Sequence, residues 1–353
     1  MRSIKKIESD RVIGIWLMTG VGMLIIQIAL GGITRLTGSG LSITEWDVIT
    51  GVIPPLNTQQ WLDEFHKYQQ TPQYRYLNSA INLQHFKFIF FWEWFHRLWG
   101  RIIGFAFLIP FIIFIIQRRI KPYMIKPLVI LFILGALQGA IGWIMVASGL
   151  IGDAIYVKPA KLAMHFVLAC ILISYTYWFA LKTIVDEDQL VKNSRLQNFT
   201  KAIICIAFIQ LIFGALMAGY KAAPAAPTWP DINGSFIPDY VFNRPEGWIS
   251  VIQNPIVIHF IHRSIAYLLF VCIVLWLLQS FKTAGGYQFR VVRIIPALFI
   301  FIQICLGIAT VLTSAWIRPT SWNIFEWMAE LHQLTAIFLV LSLITALFYL
   351  QRK

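Results

Sequence analysis

Residues 86–116 read FKFIFFWEWFHRLWGRIIGFAFLIPFIIFII. A helix needs about 20 residues to cross the roughly 30 Å of bilayer hydrocarbon, and this run is longer than that. Yet its first half carries a glutamate, Glu93, and a histidine, His96. An ionisable side chain in a lipid-embedded helix is costly and by default faces a cofactor, a partner or water. Seven further runs are equally apolar: 12–34, 127–147, 162–181, 202–220, 256–278, 294–317 and 325–350. Three of these also carry histidine, at His165, His262 and His332, and the four rings form two pairs with matching spacing, 165 − 96 = 69 and 332 − 262 = 70.

Composition leads to the same class. The chain of 353 residues is 58% hydrophobic and 13% charged, about half the charge content of a soluble domain. The expected fold is therefore an all-α integral membrane protein with eight transmembrane helices. A net charge of +13 would suit a nucleic-acid partner, but Lys and Arg gather at alternate ends of the runs. They cluster at Arg2–Arg11, Arg118–Lys126, Lys182–Lys201, Lys282–Arg293 and Arg352–Lys353. Under the positive-inside rule this is a topology signal, with both termini and the even-numbered loops cytoplasmic. The first run has no small-residue cleavage site after it, and its lead-in does not resemble an organelle transit peptide. A bacterial inner membrane is the expected address, with lipid as the surroundings and no nucleic acid.

All four cysteines, Cys170, Cys205, Cys272 and Cys305, fall inside predicted spans, and no CxxC or CxxCH occurs. That excludes covalent haem attachment and assigns the thiols to buried packing.

An internal repeat underlies the histidine pairs. Four odd-numbered helices share a Gln–x–x–apolar–Gly element: QIALG (Gln27–Gly31), QGAIG (Gln138–Gly142), QLIFG (Gln210–Gly214) and QICLG (Gln303–Gly307). Helix packing accounts for it, with Gly allowing close approach and Gln bonding across the bundle; a contact with a haem edge is the alternative. Equivalent elements are separated by four helices, so the halves, 1–186 and 187–353, are parallel repeats, each a four-helix bundle. Depth is also shared. The steps 118 − 96 = 22, 282 − 262 = 20, 182 − 165 = 17 and 352 − 332 = 20 put each histidine roughly 25–33 Å from the basic end of its helix. Two histidines on neighbouring helices at one depth can grip a haem iron from both sides.

The outward loops, 35–85 and 221–255, are long and rich in Trp, Tyr, Pro and Gly, forming either an interfacial aromatic belt or a lid. Within EWFHRLWGR (Glu93–Arg101), Glu93 and His96 are spaced i, i+3 and share a helix face. The second half has HFIHR (His259–Arg263), with His259 in the place of Glu93. That mismatch suggests chemistry in one half and electron transfer in the other. Arg97 and Arg263 follow their histidines and are placed to pair with haem propionates or to snorkel to headgroups. Arg35 and Arg101 are further propionate candidates, and His66 and His85 read as ordinary surface histidines. A dedicated zinc or copper site would favour thiolate or carboxylate clusters that the sequence lacks.

GGITRLTGSGLSITEW (Gly31–Trp46), FWEWFHRLWGRIIG (Phe91–Gly104), HFIHRSIAY (His259–Tyr267) and ELHQLTA (Glu330–Ala336) together resemble haem A synthase over nearly the whole chain. Many bacterial members carry a cysteine pair in the first outer loop, which this chain lacks, so it is most similar to the proteobacterial and mitochondrial branch. The resemblance implies oxidation of the C8 methyl of haem O, through two hydroxylations and loss of water, to the formyl group of haem A for cytochrome c oxidase. It implies that His96 and His165 flank haem O, with Glu93 as acid/base or charge-stabilising group. It likewise implies that His262 and His332 are axial ligands of haem b. Implied partners are haem O synthase, oxidase assembly factors and an electron acceptor, and a homo-oligomer is compatible with the plan. The competing classes are a dihaem b-type electron-transfer cytochrome, which would have two like sites, and a transporter, which would place its polar groups nearer the midplane.

Overall fold

A computed structural model describes residues 2–45, 50–243, 247–317 and 322–351. Trp46, Arg352 and Lys353 lie outside the described residues. Among the described residues, eight helices are long and apolar enough to cross a membrane: α1 (Arg2–Leu36), α2 (Leu83–Ile116), α3 (Pro122–Ala147), α4 (Pro159–Ile184), α5 (Ser194–Gly219), α6 (Pro255–Ser280), α7 (Ile295–Thr313) and α8 (Ile324–Tyr349). The helices run a few residues past the apolar runs because polar caps extend them. The side chains of Asn82, Asn193 and Asn254 accept from backbone N–H groups in the first turns of α2, α5 and α6. A capping box of Asn323 and Glu326 starts α8. Each cap satisfies an amide donor that the helix leaves open.

The TGSG stretch after α1 is a helix stop. Gly38 has φ +69°, Ser39 N–H donates to Thr34 O at 2.9 Å, and Gly38 N–H donates to Arg35 O at 3.2 Å. These are the paired bonds of a Schellman cap, whose left-handed residue is most easily a glycine.

Packing divides the chain into two compact units, Met1–Val21 with Cys170–Lys353, and Gly22–Ala169. In the first, α5 packs on α6 and α7 on α8, while α5–α8 and α6–α7 contacts close the four-helix arrangement. Trp276 on α6 is fully buried and its Nε1 donates to Thr200 Oγ1 on α5 at 2.7 Å. Tyr177 of α4 bonds Thr345 of α8 at 2.7 Å. Hydrocarbon offers no hydrophobic drive between helices, so such polar contacts and close packing hold the bundle. The basic-end segment of α1 belongs here too, with Gly14 pressed against Thr183 and Ile184.

In the second unit, Trp99 Nε1 of α2 donates to Met23 O of α1 at 2.9 Å. The first outer loop is folded: a helix over Thr58–Gln69, capped by Asn57, seats Phe65 and Tyr68 against Phe86, Ile89 and Phe90 of α2. Phe65 and Tyr68 turn inward, whereas Tyr76 is exposed. The second outer loop exposes Phe236, Phe242 and Trp248, as a belt would. The cysteines correct one expectation: Cys170 is buried, but Cys205 and Cys305 are exposed. Their helices are apolar on every side, so positions facing away from the bundle meet lipid rather than protein.

Candidate functional site

The repeat delivers all four histidines to one kind of seat. In the Gly22–Ala169 unit, Gln27 Nε2 of α1 lies 3.3 and 3.2 Å from Nδ1 and Nε2 of His96 on α2, and donates to the His96 carbonyl at 3.2 Å. Gln138 of α3 treats His165 of α4 identically, at 3.3, 3.3 and 3.2 Å. In the other unit, Gln210 Nε2 of α5 is 3.4 Å from Nε2 of His262 on α6. Gln303 Nε2 of α7 is 3.3 Å from Nε2 of His332 on α8, whose Nδ1 lies 3.1 Å from Gln303 O. The glycine one turn along each element completes the seat. A Cβ there would stand 3.2 Å from Cε1 of His96 for Gly31, 2.8 Å from His165 for Gly142, 3.2 Å from His262 for Gly214 and 3.0 Å from His332 for Gly307. A Cβ would force the imidazole to shift at Gly142 and would crowd it at the other three positions, and residues i and i+4 share one helix face. Sequence reasoning found the element and assigned it to helix packing. The available signal was that it occurs once for each histidine, on the helix preceding it.

The rings of His262 and His332 have centroids 6.3 Å apart, inclined at 73°. With metal–imidazole bonds of about 2 Å and about 1.2 Å from each ring nitrogen to its centroid, two axial imidazoles on one metal have centroids about 6.4 Å apart. The pair fits a bis-imidazole haem. No cluster of three or more His, Cys, Asp or Glu side chains suited to a metal ion occurs among the described residues.

Beside His96, Glu93 is buried and heavily bonded. Its Oε2 accepts from Ser42 N at 2.7 Å, Ser42 Oγ at 2.7 Å and Ile43 N at 2.9 Å, and its Oε1 accepts from Arg97 at 2.6 Å. Arg97 also donates to the carbonyls of Ile43 and Glu45. Glu45 in turn bonds Lys67, which also pairs with Glu64, and the two carboxylates hold Lys67 above the ordinary lysine range. Glu93 thus anchors the outer loop to α2. Tyr68 Oη donates to Gln73 and accepts from Asn78. Burial pushes this phenol up to about 12, and the Glu93 carboxylate adds to the rise.

The matching position in the other unit is its opposite. His259 is fully buried, and both ring nitrogens lack a hydrogen-bond partner among the described residues. Arg263 reaches the second outer loop, donating to the carbonyls of Asp231 at 2.7 Å, Thr228 at 2.7 Å and Ala226 at 3.3 Å. Both arginines read as propionate partners therefore grip loop backbone. His66 is exposed, as expected, and His85 is half-buried, with its ring centroid 6.0 Å from that of Phe88.

Residues 14–344 match the family of cytochrome oxidase assembly proteins designated COX15-CtaA. Among curated proteins, the chain is 38% identical over 347 residues to a protein of Cereibacter sphaeroides named Heme A synthase, covering 93% of this chain and 85% of the relative. It is 40% identical over 305 residues to a protein of the same name from Brucella suis, covering 86% and 85%.

Proposed function

The chain belongs to the cytochrome oxidase assembly protein family COX15-CtaA, and we propose that its two histidine pairs divide the work of a haem A synthase between a substrate site and an electron-carrying site. The protein is a multi-pass membrane oxidoreductase that converts haem O to haem A. The observation that carries the division of labour is the mismatch within the repeat. Glu93 keeps a bonded carboxylate beside His96, whereas His259 puts a ring without a hydrogen-bond partner among the described residues beside His262.

In this reading the functional halves are 1–186 and 187–353. His96 and His165 flank the haem O substrate. Passing a hydride, or a hydrogen atom and then an electron, from its C8 methyl to an external electron acceptor leaves an electron-deficient carbon, which a fixed nearby carboxylate stabilises. Glu93 Oε2 is taken up by the loop, so Oε1, on the Arg97 side, is the oxygen that receives the proton of an attacking water. Ser42, Ile43 and Arg97 keep that carboxylate from swinging away. His262 and His332 hold haem b, which supplies one-electron redox chemistry when bound. Arg97 and Arg263 keep the outer loops in place beside the propionate end of each site. A bacterial inner membrane with cytoplasmic termini follows from the basic even-numbered loops, and haem O synthase and oxidase assembly factors are the proposed partners.

The test is a histidine-to-alanine series in membranes. His262→Ala and His332→Ala are expected to remove the low-spin haem b spectrum, and His96→Ala to leave most of it. An unchanged spectrum in all three contradicts the ligand assignment.

A further inference from the structure

Each Gln–x–x–x–Gly element sets its glutamine amide and its glycine against one histidine ring, and each of the four glutamines leaves the same atom without a partner among the described residues. The Oε1 atoms of Gln27, Gln138, Gln210 and Gln303 are buried and accept no hydrogen bond among the described residues. A buried unsatisfied acceptor is costly, so its fourfold recurrence points to a use. We propose that these elements are imidazole seats, in which glycine admits the ring and glutamine is a positioning residue that sets the ring's hydrogen bond and, at the haem b site, its redox potential. This inference rests on the haem reading given above.

The chemistry follows from what a metal does to imidazole. A neutral ring has one N–H and one lone pair. When a metal takes the lone pair, the other nitrogen must carry the proton, and a bound histidine almost always donates it to a carbonyl, a carboxylate or water. At His332 the acceptor for Nδ1 is present, the Gln303 carbonyl at 3.1 Å. At His262, Nδ1 is buried without a partner, and the amide of Gln210 is the polar group against the ring, 3.4 Å from Nε2. Were Nδ1 the ligating nitrogen, Nε2 would carry the proton, and half a turn of that amide would exchange its nitrogen for the unused Oε1 and supply the acceptor. Among the described residues the Gln210 side chain bonds the ring alone. Gln27 and Gln138 differ, because each also donates to its histidine's own carbonyl at 3.2 Å, which holds the amide in the donating orientation. The seats of the two halves are therefore wired differently. The cofactor-side amide is able to accept from a bound ring, and the substrate-side amides are fixed as donors, an arrangement suited to a haem that must leave.

The test uses the full-length protein in membranes, with potentiometric titration of haem b and electron paramagnetic resonance of its low-spin signal. Gln210→Glu places a stronger acceptor beside the ring and is expected to shift the midpoint down. Gln210→Leu removes the acceptor and is expected to shift it up, with haem retention about ten- to a hundredfold weaker. If Gln210→Leu fails to accumulate, the Gln210→Glu shift alone decides, and Gly104→Ala, whose Cβ meets nothing within 4 Å, controls for folding. Wild-type midpoints and resonance signals in the Gln210 variants, with haem b lost in His262→Ala, overturn the seat and leave the haem assignment intact. Retention of the signal in His262→Ala overturns the haem assignment itself, and the seat with it.

Discussion

A Cβ on Gly142 would lie 2.8 Å from Cε1 of His165, closer than at any of the three equivalent glycines. Replacing a mid-helix glycine by alanine ordinarily stabilises a helix by roughly 0.5–1 kcal/mol. Gly142→Ala is expected to do the reverse, displacing the ring and cutting haem A formation at least tenfold. Gly307→Ala should follow at 3.0 Å, with Gly31→Ala and Gly214→Ala milder at 3.2 Å. Haem extraction and chromatography read the order, and an even response across the four would remove the link between ring clearance and function.

Glu93→Gln keeps a carbonyl oxygen for Ser42 and Ile43 but loses the ion pair with Arg97. Both haem spectra are expected to persist while formyl formation stops. Normal haem A in membranes carrying this variant would end the catalytic role of the carboxylate.

Arg263→Lys tests whether this side chain serves the loop or a propionate. Lysine offers a point charge but lacks the planar fork that spans three carbonyls. Limited proteolysis is expected to open the loop around Thr228–Asp231 faster while the haem b spectrum stays. Loss of haem b with an intact loop would assign Arg263 to the cofactor instead.

The first outer loop carries its own pH signature. Tyr68 is pushed up to about 12 from an ordinary 10, so its folded state favours the neutral phenol. That contribution is complete below pH 10 and is lost as pH rises through about 12. Hydrogen exchange along Thr58–Gln69 should accelerate in this window in the wild type. Tyr68→Phe should flatten the dependence and, by orphaning the Gln73 and Asn78 side chains, loosen the loop by about 1–3 kcal/mol at neutral pH. An identical profile in both proteins would disconnect the phenol from loop stability.

Most of the fold was legible because a bilayer leaves a chain few options. Once the apolar runs and their basic ends were read, eight helices followed, and the repeat brought His96, His165, His262 and His332 into one frame. The side-chain partnerships were less legible. Gln and Gly on membrane helices serve general packing so often that the seat could not be told from it without coordinates. The bonds that hold Glu93 were hidden because its partners, Ser42 and Ile43, come from a loop about fifty residues earlier. Arg97 and Arg263 looked like propionate ligands because their loop acceptors are backbone carbonyls, which no sequence pattern marks. The exposed Cys205 and Cys305 were misplaced because helices without an amphipathic pattern do not reveal which side faces lipid.

The central claim is that one scaffold holds two different haems. Chromatography of haems extracted from the purified protein, alongside its pyridine haemochrome spectrum, tests it most directly. The account predicts haem b together with haem O or haem A in the wild type, haem b alone as the main species in His96→Ala, and loss of haem b in His262→Ala. Haem b as the sole species in the wild type, lost equally from both variants, would mean two like sites and contradict the division into substrate and cofactor.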